Sequence, residues 1–474
     1  MAPWPARAGG AADRGNGQAT VSGASGGRPR PGGWAADASG ALPKVAWGKG
    51  LYVYDTTGKR YIDASGGPAV YCLGHGNEEV NAAIRDQLER IAHGYRYTFT
   101  SDALEQLREL VAAACGPGLE QMVFVSGGSE AVESALKIAL QYHWARGEAS
   151  RCRFIARRRS WHGNTLGALA VSDFRSRRAP FEGALVEASF VSSVNAYRPP
   201  AGVAPGELAR HCAAELEAEI LRLGPTRVAA FIFEPVVGAA GGVVPAPPGY
   251  AAAVREVCSR HGVLMIADEV MCGSGRCGSW RALEHDGVVP DVLAVAKGLG
   301  GGYLPLGATI YSRAVSEVLV AHDGGPLTGH TFTGHTAACA AGVAVQRIVA
   351  RDGLVARVRS EGEVFKGLLA EALAGLEAVG DIRGRGFFVG VEFVADRVAK
   401  RPFDAKLEVA VRIGRRAAAD GLICYPTPGN VDGASGDSII LAPPYIATRE
   451  ELAEIAARFG AAARAVLEGG LPAR

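Results

Sequence analysis

The chain reads as an α/β protein: a large domain with a mainly parallel sheet, and a smaller α+β domain built from both chain ends. Three observations lead there. Short all-apolar runs recur between residues 122 and 311, with helical patterns between several of them, the alternation that yields parallel strands joined by helices. Beyond about residue 340 this rhythm gives way to long helices and clustered short strands. Finally, the apolar run in DVLAVAKGLGGGYLPLGA ends in Lys297. Withdrawing an ammonium from water costs roughly several kcal/mol unless it is paired or loses its proton.

Size and composition bound what the chain can be. Its 474 residues exceed one small core, so two or three packed units are expected. Hydrophobic residues make up 48% and charged residues 21%, a globular balance, and a net charge of +2 offers no footprint for nucleic acid. The nine cysteines are scattered and form no CxxC, which fits free thiols in a reducing compartment and a cytoplasmic location. No apolar run approaches the length of a membrane span.

The elements follow in order. Residues 1–42 hold ten glycines and few large aliphatics; they are expected to be a disordered leader, with an organellar transit peptide as the alternative. Residues 43–100 open the smaller domain. There Tyr52 and Tyr54, a turn at Thr57-Gly58, and Tyr61-Ile62 predict a hairpin. Val80, Ala83, Ile84, Leu88 and Ile91 predict a helix. Residues 101–338 form the large domain, with a helix at 101–114 and strands at 122–125, 154–156, 228–233, 263–267, 292–296 and 308–311. Residues 339–474 complete the smaller domain. Strands are expected within 381–394 and at 422–425 and 438–441, and Thr448 with Glu451 signals a capping box.

In open α/β sheets ligands bind beyond the carboxyl ends of the strands. The residues placed there carry chemistry. Ser126-Gly127-Gly128-Ser129 precedes a helix and outlines an anion site, with Ser129 as N-cap. It is not a phosphate loop of the GK[ST] type, and Gly298 to Tyr303 fails the dinucleotide pattern GxGxxG. Trp161, His162 and Gly163 follow the second strand, Glu234-Pro235 the third, Asp268-Glu269-Val270 the fourth and Lys297 the fifth. Each has a bland alternative: an empty N-cap, a core tryptophan, a carboxylate paired with an arginine, a lysine at the surface. Together, an anion cradle, a flat aromatic, a buried carboxylate and a buried lysine suit one ligand, a phosphorylated aromatic aldehyde with a protonated ring nitrogen.

The motifs SGGSEAVESALKIA, WHGNTLGALA, FEPVVG, ADEVMCGSGRCG, AKGLGGGYLPLGA and HTFTGHTAACAAG occur in this order. In order and spacing the chain resembles the class III, fold-type I aminotransferases that depend on pyridoxal 5′-phosphate, over nearly everything after residue 43. The resemblance implies that Lys297 is the Schiff-base lysine and proton carrier, and that Asp268 pairs with the pyridine nitrogen. Gly128 and Ser129 would hold the phosphate. Trp161 would stack on the ring where relatives have tyrosine or phenylalanine, with Val270 against the other face. Glu234 would play a supporting role near the site, and Thr331 would reach the phosphate of a neighbouring subunit. A homodimer, or a tetramer of paired dimers, follows, acting on small amines and 2-oxo acids with no nucleic acid or membrane partner.

The substrate side departs from the family. Where many relatives place an arginine for the substrate carboxylate, this chain has Tyr425 or Ile440, and Ala239 replaces the glutamate that often partners it. An insertion at 427–437 adjoins these positions. Arg415 and Arg416 lie nearby but are expected on a solvated helix face. Tyr71 is a candidate pocket wall or core residue, and His162 is expected to bond to local backbone. The implied reaction is transamination by a ping-pong cycle. The same scaffold also suits racemisation or epimerisation, an aminomutase, or decarboxylating transamination. A noncatalytic descendant of the fold would not need both Lys297 and Asp268.

Overall fold

A computed structural model describes residues 41–470, so the expected leader, apart from Ala41 and Leu42, lies outside the described residues. The chain enters through β1 (Val45–Lys49), β2 (Tyr52–Asp55) and β3 (Arg60–Asp63), an antiparallel meander. Asp55 shapes the β2–β3 turn, because its Oδ1 accepts from the N–H groups of Thr57 and Lys59 and from the Thr57 hydroxyl. Helices Glu78–Arg90 and Asp102–Cys115 follow. Asn77 and Ser101 cap them, accepting the N–H groups of Val80 and Leu104.

The large sheet is built from β4 (Gln121–Val125), β5 (Arg153–Arg157), β6 (Ala188–Val191) and β7 (Val228–Phe233). A two-stranded ribbon, β8 (Val236–Val237) and β9 (Val244–Pro245), interrupts before β10 (Leu264–Asp268), β11 (Val292–Val295) and β12 (Gly307–Tyr311) complete it. Strand order is β4-β12-β11-β10-β7-β5-β6. The strands run parallel except β12, which is antiparallel to both neighbours. Phe231, Phe233 and Met265 face one core, shared with Leu107, Leu216 and Val254 of the helices. Ala230, Ile232 and Ile266 face the other, shared with Val132 and Leu136. Helices cover both faces, which is why these strands are apolar throughout instead of alternating.

The remaining strands are β13 (Val379–Arg385), β14 (Phe388–Phe393), β15 (Leu422–Ile423), β16 (Tyr425–Pro428) and β17 (Asp437–Leu441). The single strand expected at 422–425 is two. β15 pairs in parallel with β3, and β16 turns into the antiparallel sheet β13-β14-β17-β16. The chain changes sheets at buried Cys424, so one apolar run serves two ladders. The segment 427–437 spans the end of β16, the connection 429–436 and the first residue of β17, with the Thr427 and Ser438 hydroxyls 2.7 Å apart at its base. The boundary drawn at 339 falls inside helix Thr336–Arg351. That helix gives Ala338, Cys339 and Val343 to the core under the large sheet, and Ala341, Val345 and Ile348 to the core holding Phe393 and Phe459. It is apolar around most of its surface because it is shared. Among the described residues, no helix is long and apolar enough to cross a membrane.

Glu392, on β14 and fully buried, joins these two parts. It accepts from Arg198 Nε at 2.7 Å and from Arg383 Nη1 at 2.7 Å. Removing one member of a buried ion pair strands the rest without compensation, at about 3–5 kcal/mol. Glu392→Ala should therefore lower the unfolding free energy read from urea titration by that order, with a lower midpoint, and Glu392→Gln by less. An unchanged midpoint for the alanine variant would show that the network is not a structural tie.

Candidate active site

A cavity of about 400 Å³ lies beyond the carboxyl ends of β4, β5, β7, β10 and β11, and Ser129, Trp161, Asp268 and Lys297 line it. The large sheet delivers each group. β10 ends in Asp268, which is 3% exposed. Its Oδ1 accepts the Val270 N–H at 3.0 Å, and its Oδ2 lies 2.7 Å from His162 Nδ1. A carboxylate offers only acceptors, so Nδ1 carries the hydrogen and donates it. His162 Nε2 is buried with no hydrogen-bond partner. The expectation that His162 bonds to local backbone is corrected for its ring, although its N–H does donate to the Ser172 hydroxyl nearby.

β11 stops at Val295, and two residues later Lys297 adopts φ 47°, a left-handed conformation that few residues other than glycine take. This bend turns the chain out of the sheet and into a short 3-10 turn, Lys297–Leu299. Burial pushes the Lys297 ammonium below the ordinary lysine value, against the opposite pull of Asp268 and Glu234. Glu234 follows β7 and uses both oxygens on backbone: Oε1 accepts the Trp161 N–H at 3.0 Å and Oε2 the Gly238 N–H at 2.8 Å. Burial lifts its carboxyl above the usual range, and Asp268 adds to the rise.

The helix after β4 begins at Gly128, with Gly127 as N-cap. Ser129 is thus inside the first turn, not the N-cap expected from sequence, and its hydroxyl accepts the Asn164 N–H at 2.9 Å. Gly128 is tightly specified: a Cβ there would meet Val270 Cγ1 at 2.6 Å. Gly163, at φ 145°, is pressed against Ser129 in the same way. These contacts draw the helix start, the Trp161 loop and the Asp268 loop into one rim.

The other expected residues separate. Tyr71 is half-buried beside His75, its ring against Gly67 and Gly302, and it touches the cavity wall without lining the cavity. Tyr425 is buried among Ala239, Met271 and Ile440, of which Ala239 and Met271 line the cavity. Thr331 is exposed and away from this cavity, and its carbonyl accepts from His93 Nε2 at 3.2 Å. Arg415 and Arg416 are both exposed, the latter paired with Asp420 at 2.7 Å. One residue was missed: Arg177, whose guanidinium carbon lies 4.9 Å from the Trp161 ring centre. Its signal was the basic run FRSRR soon after the Trp161 motif.

Comparisons with known proteins place the chain in a family. A family model described as aminotransferase class-III matches residues 36–463. The aminotransferase YodT of Bacillus subtilis is 38% identical over 428 residues, covering 90% of this chain and 96% of the relative. A diaminobutyrate–2-oxoglutarate transaminase of Halomonas elongata is 36% identical over 89% of this chain and 90% of its own. Among solved structures, a PLP-bound amine transaminase from an uncultivated Pseudomonas species superposes with a TM-score of 0.84. It is 33% identical, over 91% of this chain and 96% of that one.

The depressed lysine has a consequence for the cofactor-free protein. Between its lowered folded pKa and the unfolded value of about 10.4, the unfolded chain binds the additional proton. Wild-type stability then gains on a Lys297→Met variant as pH rises through that window, and the difference is flat below it. Urea titrations of both proteins from neutral to alkaline pH check this; a difference that shrinks with rising pH would contradict the depressed pKa.

Proposed function

Because the chain belongs to the class III aminotransferases, we propose that it is a transaminase moving an amino group from an amine, or an ω- or α-amino acid, to a 2-oxo acid in a ping-pong cycle. It is a pyridoxal-phosphate-dependent enzyme. The convergence of Lys297, Asp268, Trp161 and the Gly128-Ser129 helix start on one cavity carries this reading.

The residues fit the cofactor. A helix N-terminus with glycines suits a phosphate, a buried carboxylate suits a protonated ring nitrogen, and an amine of lowered pKa suits an aldehyde. Gly128 and Ser129 would hold the phosphate, Trp161 and Val270 would flank the ring, and Lys297 would carry the cofactor through Nζ. When bound, pyridoxal phosphate supplies an electron sink for the pair left behind when the amine carbon loses its proton. Asp268 would keep the ring nitrogen protonated, a charge-assisted contact worth roughly 1.5–3 kcal/mol. His162 donates to one Asp268 oxygen and the Val270 N–H to the other, so the carboxylate is held in one orientation. Lys297 Nζ would take the proton from the amine carbon and return it at the neighbouring position. Holding that base in place makes the transfer intramolecular, with an effective molarity on the order of 10⁵–10⁸ M at best. Glu234 fixes the backbone beneath Trp161.

The same reading includes a homodimer, or a tetramer of paired dimers, in which Thr331 reaches a neighbouring site. Leu327 and Phe332 beside Thr331 in the chain, and Tyr97 and Phe99 shortly after His93, whose ring meets the Thr331 carbonyl, are all exposed, apolar residues of the kind a subunit interface covers. A cytoplasmic location is supported by nine cysteines that are all free.

Single half-reactions test the proposal. Amines of several classes are added one at a time to the cofactor-loaded protein with no oxo acid, and its visible absorbance is followed. One class should convert the bound cofactor stoichiometrically, and pyruvate or 2-oxoglutarate should restore it. Lys297→Ala should abolish turnover with the fold intact. A protein that carries cofactor but is converted by no amine, yet isomerises a single amino acid, would be a racemase or mutase instead.

A further inference from the structure

Transamination brings a carboxylate into the cavity with every oxo acid, and a carboxylate leaving water needs a cation. The lining supplies none to spare. Lys297 is committed to the chemistry, and the His162 ring is held by Asp268. The buried carboxylates Asp268 and Glu234 add repulsion. On the far side Tyr425, Ile440 and Ala239 pack into one apolar cluster, so the three departures noted in the sequence form a single wall.

We propose that Arg177 binds the substrate carboxylate, making this chain a transaminase for acids held at the Trp161–Tyr425 edge of the cavity. This rests on the transaminase reading. The guanidinium lies over Trp161 at 4.9 Å and Phe174 at 5.2 Å, with Nη2 3.5 Å from the Tyr425 hydroxyl. It therefore touches one residue that lines the cavity and one that packs behind it. Two neighbouring arginines are engaged elsewhere: Arg178 binds the carbonyls of Leu169, Ala170 and Ser172, and Arg159 pairs with Asp173 at 3.1 Å, while Arg175 is exposed. Arg177 forms no ion pair among the described residues. Stacking on an indole desolvates the face of a guanidinium and leaves its in-plane donors, the ones that grip a carboxylate in two places.

The turn that carries Arg177 is braced from outside. A Cβ added at Gly433 would lie 3.1 Å from Arg175 Cβ and 2.5 Å from Arg159 Nη1. The 429–436 connection thus packs onto the basic segment, and the insertion and the arginine act as one feature. With only an apolar wall opposite, the substrate class is a monocarboxylate whose remaining chain is apolar. A substrate without a carboxylate leaves Arg177 on Trp161, so one cavity serves both halves of the cycle.

The test uses holoenzyme and the variants Arg177→Met and Arg177→Lys. Pyruvate carries a carboxylate and propanal, of the same carbon count, carries none, and each serves as acceptor for the aminated enzyme; propionate, which cannot react, is titrated by calorimetry. In Arg177→Met the KM for pyruvate and the Kd for propionate should rise roughly 10- to 100-fold, with propanal unchanged and the lysine variant intermediate. Equal losses for pyruvate and propanal would mean that Arg177 only props Trp161, and no loss for either would mean that it is a bystander; each overturns the proposal. If the wild type aminates no acceptor, the transaminase reading fails by itself, and propionate affinity still decides whether Arg177 binds carboxylates.

Discussion

The site depends on an amine and a carboxylate set at the ends of adjacent parallel strands. β10 and β11 are in register with Asp268 beside Ala294, which places the acid one short turn from Lys297. Neither charge is cheap there. Asp268 is satisfied by His162 and the Val270 N–H, while Lys297 is only partly compensated and its pKa falls. The left-handed backbone at Lys297 adds strain of about 1–3 kcal/mol, which persists only where the surroundings over-determine it. They do. Gln346 Nε2 donates to the carbonyls of Gly298 and Leu299, and its own oxygen accepts from Trp280 Nε1 at 3.0 Å. The shared helix Thr336–Arg351 thus clamps the loop that aims the lysine.

Three loops must meet for the cavity to exist, and they are tied by backbone more than by side-chain pairs. Glu234 spans from the end of β7 to the Trp161 N–H, Ser129 reaches the Asn164 N–H, and Gly128 lets Val270 approach. Arg157 adds a bond to the Glu234 carbonyl from a fully buried position. The Glu234 and Arg157 ties join the neighbouring strands β7 and β5, while the other two carry the helix start after β4 across to the loops after β5 and β10, so the sheet's strand order is passed on to the cavity. Side chains set on such strand ends are more accurately held than side chains on long loops.

Legibility followed burial. The strands of the large sheet were visible because their side chains, being covered on both faces, are apolar without interruption, as in VAAFIF of β7. β6 was not visible: ASFV is short and mostly half-exposed at the sheet edge, so no pattern marks it. The break at Cys424 was hidden for a different reason, since two sheets each claim part of one apolar run. Lys297, Asp268 and the Gly128-Ser129 start could be read because a charge at a strand end, or glycines before a helix, have few cheap explanations. The ring partner of His162 could not be read, because it lies 106 residues away and only the strand order brings it near.

The two sides of the cavity obey different constraints. At the strand ends of β10 and β7 the Asp268 and Glu234 carboxylates are fixed by neighbours that would be left unsatisfied if they moved, and Gly128 would collide with Val270. On the substrate side the contacts are apolar and exchangeable. Tyr425, Ile440 and Ala239 fill one apolar cluster, with the Tyr425 hydroxyl 3.5 Å from Arg177 Nη2 at its edge. Chemistry is therefore inherited with the sheet, while the choice of substrate is left to the wall and to whatever cation reaches it. A guanidinium on the cavity's tryptophan can be relocated by a short turn without disturbing β10 or β11. On the Arg177 proposal, that independence would let a carboxylate-binding group change place while the reaction stays the same.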